Sequence, residues 1–153
     1  GFVQPSAAEW DGTDTELGRT PRAAKALYPL AGTGSAVGDN DVDNGVTSIL
    51  SPVISLPAGA DDIELEGSYY LAYLENATSA DYFRVILITP QGNKVLVSES
   101  ARSERNQDAK WRKFDAELTR YRGQDVRILV QDADDSSPSL IEAGLADLKI
   151  VAD

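Results

Sequence analysis

The chain has 153 residues, of which 42% are hydrophobic, so it is in the size range of one domain with a continuous core. It contains no cysteine, which excludes disulfides and thiolate metal sites, and no histidine, which removes the usual general base and zinc ligand. Its net charge of -11 disfavours binding to nucleic acid, and no apolar run approaches the roughly 20 residues that span a bilayer. We therefore expect a non-catalytic domain without a membrane span.

The first 45 residues carry little pattern. Residues 1–8 are predicted to be a linker at the edge of the chain, and residues 9–153 are predicted to be a single domain. The sequence around Trp10 predicts one early strand, followed by long loops rich in glycine, alanine, threonine and aspartate.

The residue pattern changes at Thr47. From there on, runs of β-branched residues alternate with turn residues. Residues 47–56 predict a strand that Pro52 places at a sheet edge or at a bulge. Residues 62–74 show the clearest alternation in the chain, and period two over this length predicts a half-buried strand. One face of this strand carries Ile63, Leu65, Gly67, Tyr69, Leu71 and Tyr73.

The second half of the chain continues with short strands. Residues 82–89 and 94–98 are predicted to pair as a hairpin around the turn residues 90–93. Residues 125–131 alternate in polarity, and a final strand is predicted from about residue 145 to 151. Strands at this spacing, without helices between them, indicate a two-sheet antiparallel β-sandwich.

The segment 108–121 is ambiguous. Its large apolar residues recur at three- and four-residue intervals, which fits an amphipathic helix: Trp111, Phe114, Leu118 and Tyr121. As a strand, the same segment would place Phe114 and Leu118 on one face and Trp111 on the other. Periodicity alone favours the helix.

Acidic residues are concentrated in stretches that contain no lysine or arginine. Nine of them and no lysine or arginine lie between Lys25 and Arg84, and a second acidic stretch lies between Arg127 and Lys149. Residues 39–45 resemble an EF-hand loop, but positions six and twelve of that register are Asn44 and Leu50, so the pattern fails.

Alternating carboxylates in such a loop could still join a calcium site that other parts of the chain complete, because a hard cation takes six to eight oxygens. The alternative is that they are solvated turn residues. We predict a structural calcium ion with ligands drawn from Asp41, Asp43, Asp81, Glu142 and Asp147.

Aromatic side chains offer a second kind of site. Tyr70 is on the face of its strand opposite Tyr69 and Tyr73, and Trp111 lies in the ambiguous segment. Flat rings match the apolar faces of sugars, so Tyr70 and Trp111 are predicted ligand-binding residues. The alternative is that both rings fill or cover the core of the sandwich.

Several segments together resemble one known type of domain. They are 41–48, 51–54, 68–72, 79–85, 123–128 and 141–147. In this order they are similar to the C-terminal jelly-roll domains of secreted bacterial zinc carboxypeptidases and related extracellular hydrolases, which are akin to MAM-like and carbohydrate-binding-module sandwiches. The resemblance implies an all-β jelly roll, commonly with a structural calcium, and a strand rather than a helix within 108–121.

The resemblance also implies a secreted accessory domain whose partner is the catalytic domain of the same parent chain. We therefore expect a calcium-stabilised, non-catalytic module that helps a secreted hydrolase bind its substrate or a surface glycan. The alternative is a purely structural or adhesin-like extracellular sandwich that binds no sugar.

Overall fold

A computed structural model describes the backbone of residues 2–3 and 26–29, and all atoms of residues 45–134 and 139–153. The strand predicted near Trp10 and the predicted ligands Asp41 and Asp43 lie outside these residues. Phe2 and Val3, which lie inside the predicted linker, form a strand that pairs with residues 26–29. No helix among the described residues is long and apolar enough to cross a membrane.

The described elements are almost entirely strands, which confirms the predicted all-β fold. They are β1 Phe2–Val3, β2 Ala26–Pro29, β3 Gly45–Leu50, β4 Ile54–Ser55, β5 Ile63–Tyr73, β6 Tyr82–Thr89, β7 Gly92–Ser100, β8 Arg112–Glu117, β9 Asp125–Asp134 and β10 Ile141–Ala152. A short 3₁₀ helix, Thr119–Tyr121, follows β8.

The strands form two antiparallel sheets, as predicted for a sandwich of jelly-roll type. Sheet I has the strand order β1-β2-β10-β5-β8, and sheet II has the order β3-β9-β6-β7, with β4 also paired to β9. Consecutive strands are often separated in space, so each sheet is assembled from distant parts of the sequence. The core is therefore made of contacts that no local segment could form alone.

Strand β5 lies in the middle of sheet I and has the alternation predicted for it. Its odd-numbered residues face the core, and Ile63 and Leu65 are fully buried. A bulge at Asp147, where φ is +55°, shifts the register of β10 against β5. Because of this shift, Leu145 before the bulge and Leu148 after it both pack on the core.

Pro52 divides the strand predicted over residues 47–56. The structure has β3 and β4 in its place, both paired to β9. Ser51 occupies the gap, where its N–H donates to the Ile128 carbonyl at 2.9 Å and its Oγ accepts from the Ile128 N–H at 2.8 Å. Proline cannot donate a ladder hydrogen bond, which explains why regular pairing stops here.

The ambiguous segment is a strand. Residues 112–117 form β8, which pairs along β5 from Glu64↔Glu117 to Tyr69↔Arg112. The apolar residues that suggested a helix continue into the 3₁₀ turn, where Leu118 and Tyr121 are buried. The three- and four-residue spacing of the large apolar residues therefore arises because a strand is followed directly by a 3₁₀ turn.

Aromatic rings join the two sheets. Tyr69 on β5 stacks on Phe83 of β6 with 5.1 Å between ring centroids, and Phe114 of β8 meets Tyr69 edge to face at 6.1 Å. Gly67 makes room for this cluster, because a Cβ there would lie 2.8 Å from two atoms of the Phe114 ring. The absent side chain in the middle of β5 is thus replaced by a neighbouring aromatic ring.

Candidate functional site

The core-facing side of β9 changes from apolar to acidic near its end. Val126, Ile128 and Val130 point into the core, and the same alternation continues to Asp132 and Asp134. Both carboxylates have 0% of their surface exposed. Two residues of one strand on one face are about 6.8 Å apart, so these side chains are neighbours at one end of the sandwich.

A third carboxylate reaches the same end from the adjacent strand. Asp81 immediately precedes β6 and is also fully buried. The pairing of Tyr82 with Ala133 and of Phe83 with Asp132, extended by one residue, places Asp81 beside Asp134. On the other side of Asp134 the partner is Gly45, which carries no side chain.

Ser139 links two of these carboxylates. Its Oγ donates to Asp134 Oδ1 at 2.8 Å and lies 3.3 Å from Asp81 Oδ2. Asp81 Oδ2 also accepts a hydrogen bond from the Thr78 N–H at 2.7 Å. Because a serine hydroxyl has a single proton, it satisfies only one of the two carboxylates at a time.

We refer to Asp81, Asp132, Asp134 and Ser139 as the buried acidic cluster. A carboxylate inside a protein needs compensation of its charge by a cation, by a proton or by a basic side chain. The donors in the cluster are all oxygens, which suit calcium, whereas zinc favours the histidine and cysteine ligands that this sequence does not contain. The donor chemistry therefore suits calcium rather than zinc. Ser139 links Asp81 and Asp134 directly, whereas Asp132 is placed near them only by the alternation of β9.

Only one of the described residues that we predicted as calcium ligands belongs to this cluster. Glu142 is buried, but it lies on the face of β10 opposite Ile141 and Ala143, across from Ala72. Asp147 is the exposed bulge residue of β10. Asp147 thus lies on the outer face of sheet I, and Glu142 lies on the face of β10 opposite the core, whereas Asp81 belongs to the cluster beside sheet II.

Asp132, Asp134 and Ser139 were not among the predicted ligands. A signal for the two aspartates was present, because the alternation that predicted β9 continues past Val130 and puts both on the core-facing side. Ser139 had no such signal. Its position beside Asp81 depends on how β10 approaches β6, which belong to different sheets.

The two aromatic residues predicted to bind a ligand lie together, but not as a flat platform. Tyr70 is buried, with 1% of its surface exposed, and Trp111 is half-buried. Their rings meet edge to face, with centroids 5.0 Å apart and an interplanar angle of 77°. Stacking on a sugar needs exposed and nearly coplanar rings. The ligand-binding role of Tyr70 and Trp111 thus stays a prediction, which this geometry does not favour.

A second acidic group lies on the surface. Carboxylate oxygens of Asp62, Glu64 and Glu117 are all within 4.8 Å of one another. The Asp62 carboxylate, and then burial and further acidic neighbours, raise the pKa of Glu64, whereas hydrogen bonding by the side chain and then the N–H of Thr119 lowers the pKa of Glu117. Solvent reaches all three side chains, so water compensates much of their mutual repulsion.

Replacing Asp62 with asparagine is expected to lower the pKa of Glu64 toward its usual value, because the largest repulsive charge is removed. The measurement is an NMR titration of the side-chain carboxyl carbon of Glu64. Asp61→Asn, at the neighbouring exposed position, serves as the control and is expected to change this pKa less. An unchanged pKa in Asp62→Asn would contradict the assigned cause.

No known protein-family profile matches the chain, and no curated protein sequence matches it. Among solved structures, the chain is similar to a glycoside hydrolase family 43 arabinoxylan arabinofuranohydrolase from Bacillus subtilis, with 11% identity, a TM-score of 0.39, and coverage of 100% of this chain and 27% of that chain. It is also similar to the structure of infectious bursal disease virus Gx strain, with 8% identity, a TM-score of 0.34, and coverage of 98% and 30% respectively. The chain spans less than a third of either protein. Structural similarities with such low sequence identities and TM-scores give no information about function.

Proposed function

We propose that this domain is a non-catalytic, calcium-stabilised accessory sandwich of a larger secreted protein, and that its role is structural. The observation that carries the proposal is the buried acidic cluster, in which three fully buried aspartates and Ser139 lie at one end of the sandwich. A calcium ion would compensate the carboxylate charges, and backbone carbonyls would supply the remaining oxygens of its coordination shell.

The position of the cluster suits a structural role. Asp81, Asp132 and Asp134 belong to sheet II or the turn before it, whereas Ser139 leads into β10 of sheet I. An ion bound between them would tie the two sheets together at the end where β6 begins and β9 finishes. Such an ion binds the folded state and not the unfolded chain, so it stabilises the fold by mass action.

The other parts of the proposal rest on the sequence. A chain without histidine or cysteine has neither of the commonest nucleophile–base pairs. Secretion and a hydrolase as the parent protein are proposed on the resemblance of the sequence to carboxypeptidase-associated jelly rolls. Weak calcium sites are typical of extracellular modules, where the ion is abundant. A structural role has more support than sugar binding, because Tyr70 is buried.

Thermal unfolding, first with EDTA and then with increasing calcium, tests the site. The melting temperature is expected to rise and then to follow the logarithm of calcium concentration. The stabilisation reaches about 2.7 kcal/mol at a hundredfold excess over the dissociation constant. In the double variant Asp132→Asn/Asp134→Asn the rise is expected to disappear, because two charged ligands are lost while the side-chain volumes are kept.

Asp61→Asn is the matched control, because it removes one exposed carboxylate at a position away from the cluster. It should keep the full response to calcium. A wild-type protein whose melting temperature does not respond to calcium, and which binds none by isothermal titration calorimetry, would overturn the proposal. The cluster would then be neutralised by protons or by basic side chains.

A further inference from the structure

The outer face of sheet II carries a row of aliphatic side chains that crosses all four of its main strands. The strand register places Leu50 of β3 beside Leu129 of β9, Leu129 beside Ile86 of β6, and Ile86 beside Val95 of β7. Leu50 is 47% exposed and Val95 is 49% exposed at the two ends of this apolar row. Outward-facing positions of a solvated sheet are usually polar, so a continuous apolar row indicates a contact surface.

An arginine flanks the apolar row on each side along the strands. Arg84 lies two residues before Ile86 on β6, and Arg127 lies two residues before Leu129 on β9. Arg84 is held over the Tyr82 ring, with 3.8 Å from its Cζ to the ring centroid, and Arg127 donates to the Ser51 carbonyl at 3.2 Å. Neither arginine forms an ion pair with a carboxylate of the described residues.

The outer face of sheet I has the opposite charge. It holds an open groove of about 630 Å³, here called the acidic groove, whose charged lining has four carboxylates and two lysines: Glu64, Glu66, Asp115, Asp147, Lys113 and Lys149. Asp115 on β8 and Asp147 on β10 lie on the two sides of β5.

Two like-charged pairs stand directly across the strands here, Glu64 with Glu117 and Glu66 with Asp115. Such pairs destabilise an isolated sheet. Lys149 on β10 compensates Glu66 through an ion pair at 2.9 Å, and a positively charged partner would compensate the remaining carboxylates.

We propose that the domain associates with a second copy of itself, head to tail, with the outer face of sheet II seated on the acidic groove of the next copy. Arg84 and Arg127 would then meet carboxylates on both walls of the acidic groove. The apolar row would cover the floor of the groove and the aliphatic parts of the side chains that line it. This inference goes beyond the proposed structural role and does not depend on the calcium site.

Charge decides between this arrangement and a two-fold dimer. If two sheet II faces packed on each other, the apolar rows would meet, but the flanking arginines would not reach the carboxylates of the acidic groove. The heterologous arrangement pairs opposite charges instead, and it leaves one face free at each end, so chains longer than dimers form at high concentration.

The expected affinity is modest because the face is small. Four strands about 4.8 Å apart and roughly 27 Å long give a face of about 500 Å², so both sides together bury on the order of 1,000 Å². This value is at the low end for a specific protein–protein interface. We therefore expect a dissociation constant on the order of micromolar to millimolar, which rises with ionic strength.

Two variants with one altered face each test the arrangement. Leu50→Glu/Arg84→Glu places carboxylates on the sheet II face, at one exposed and one half-buried position. Glu64→Lys/Asp115→Lys alters the groove and turns two like-charged cross-strand pairs into opposite-charged ones, so we expect it to fold at least as well as the wild type. Circular dichroism and thermal unfolding verify that both are folded.

Sedimentation velocity in calcium-containing buffer at low salt is the measurement. The wild type is expected to form dimers and larger species as its concentration rises, while each variant alone stays monomeric. A mixture of the two variants is expected to form a one-to-one dimer, because one intact face of each kind remains.

Three results would overturn the inference. The first is a wild type that stays monomeric at protein concentrations on the order of 1 mM, where an interface of this size would be populated. The second is a groove variant that still dimerises by itself, since this would indicate the two-fold arrangement. The third is a mixture of the two variants that stays monomeric although both are folded.

Discussion

Replacing Phe83 with alanine is expected to lower the free energy of unfolding by about 3–5 kcal/mol, the usual cost of truncating a buried aromatic ring. Phe83 on β6 is fully buried, and its ring stacks on Tyr69 of β5 with an interplanar angle of 5°. The pair joins the two sheets, so its loss removes contacts on both sides of the core and leaves a cavity between them. Urea or guanidinium unfolding followed by circular dichroism measures the change.

Tyr82→Ala is the matched control for this prediction. Tyr82 is the preceding residue of β6 and is half-buried on the outer face, where it contacts Arg84. Its truncation is expected to cost about 1 kcal/mol, since side chains outside the core contribute less. Equal losses for the two variants would show that the inward and outward faces of β6 have been wrongly assigned.

Asp81→Ala is expected to lower stability in two separable ways. Without calcium, the Thr78 N–H loses its acceptor inside the protein, which costs about 1–3 kcal/mol, whereas the Ser139 hydroxyl keeps Asp134 as its acceptor. With calcium at a hundredfold excess over its dissociation constant, the variant also lacks the stabilisation of about 2.7 kcal/mol that the wild type gains. Denaturant unfolding in EDTA and in saturating calcium separates the two contributions.

Asp81→Asn sharpens this result, because the asparagine carbonyl still accepts a hydrogen bond from Thr78 while the negative charge is gone. Its stability in EDTA should be close to that of the wild type, whereas its calcium response should be weakened. If Asp81→Asn kept the full calcium response, Asp81 would not be a ligand. If Asp81→Ala were as stable as the wild type in EDTA, Asp81 would have no role in holding the 78–81 turn.

Periodicity predicted the strands whose two faces differ strongly. Residues 62–74 and 125–131 alternate because one side of each strand lies in the core, and β5 and β9 are found there. β10 begins at Ile141, earlier than the predicted start near residue 145. Its first residues are buried on both faces, so no alternation in polarity marks them.

The candidate site was only partly accessible to sequence reasoning. Clustering of acidic residues selected Asp81, which is a member of the buried acidic cluster, and also Glu142 and Asp147, which lie on other faces of the sandwich. Spacing along the chain does not determine which face of a sheet a residue occupies after a bulge. It also does not show which strands of the two sheets are neighbours.

The sequence by itself determined the all-β class, the approximate positions of most described strands, and the absence of histidine and cysteine chemistry. These properties depend on composition and on the period-two pattern of individual segments, which are local. Tertiary structure alone decided that Ser139 links Asp134 to Asp81, and that apolar and acidic side chains occupy opposite outer faces. Those outcomes depend on the pairing of strands far apart in sequence, such as β3 with β9 and β5 with β10, whose register is set by packing of the whole core.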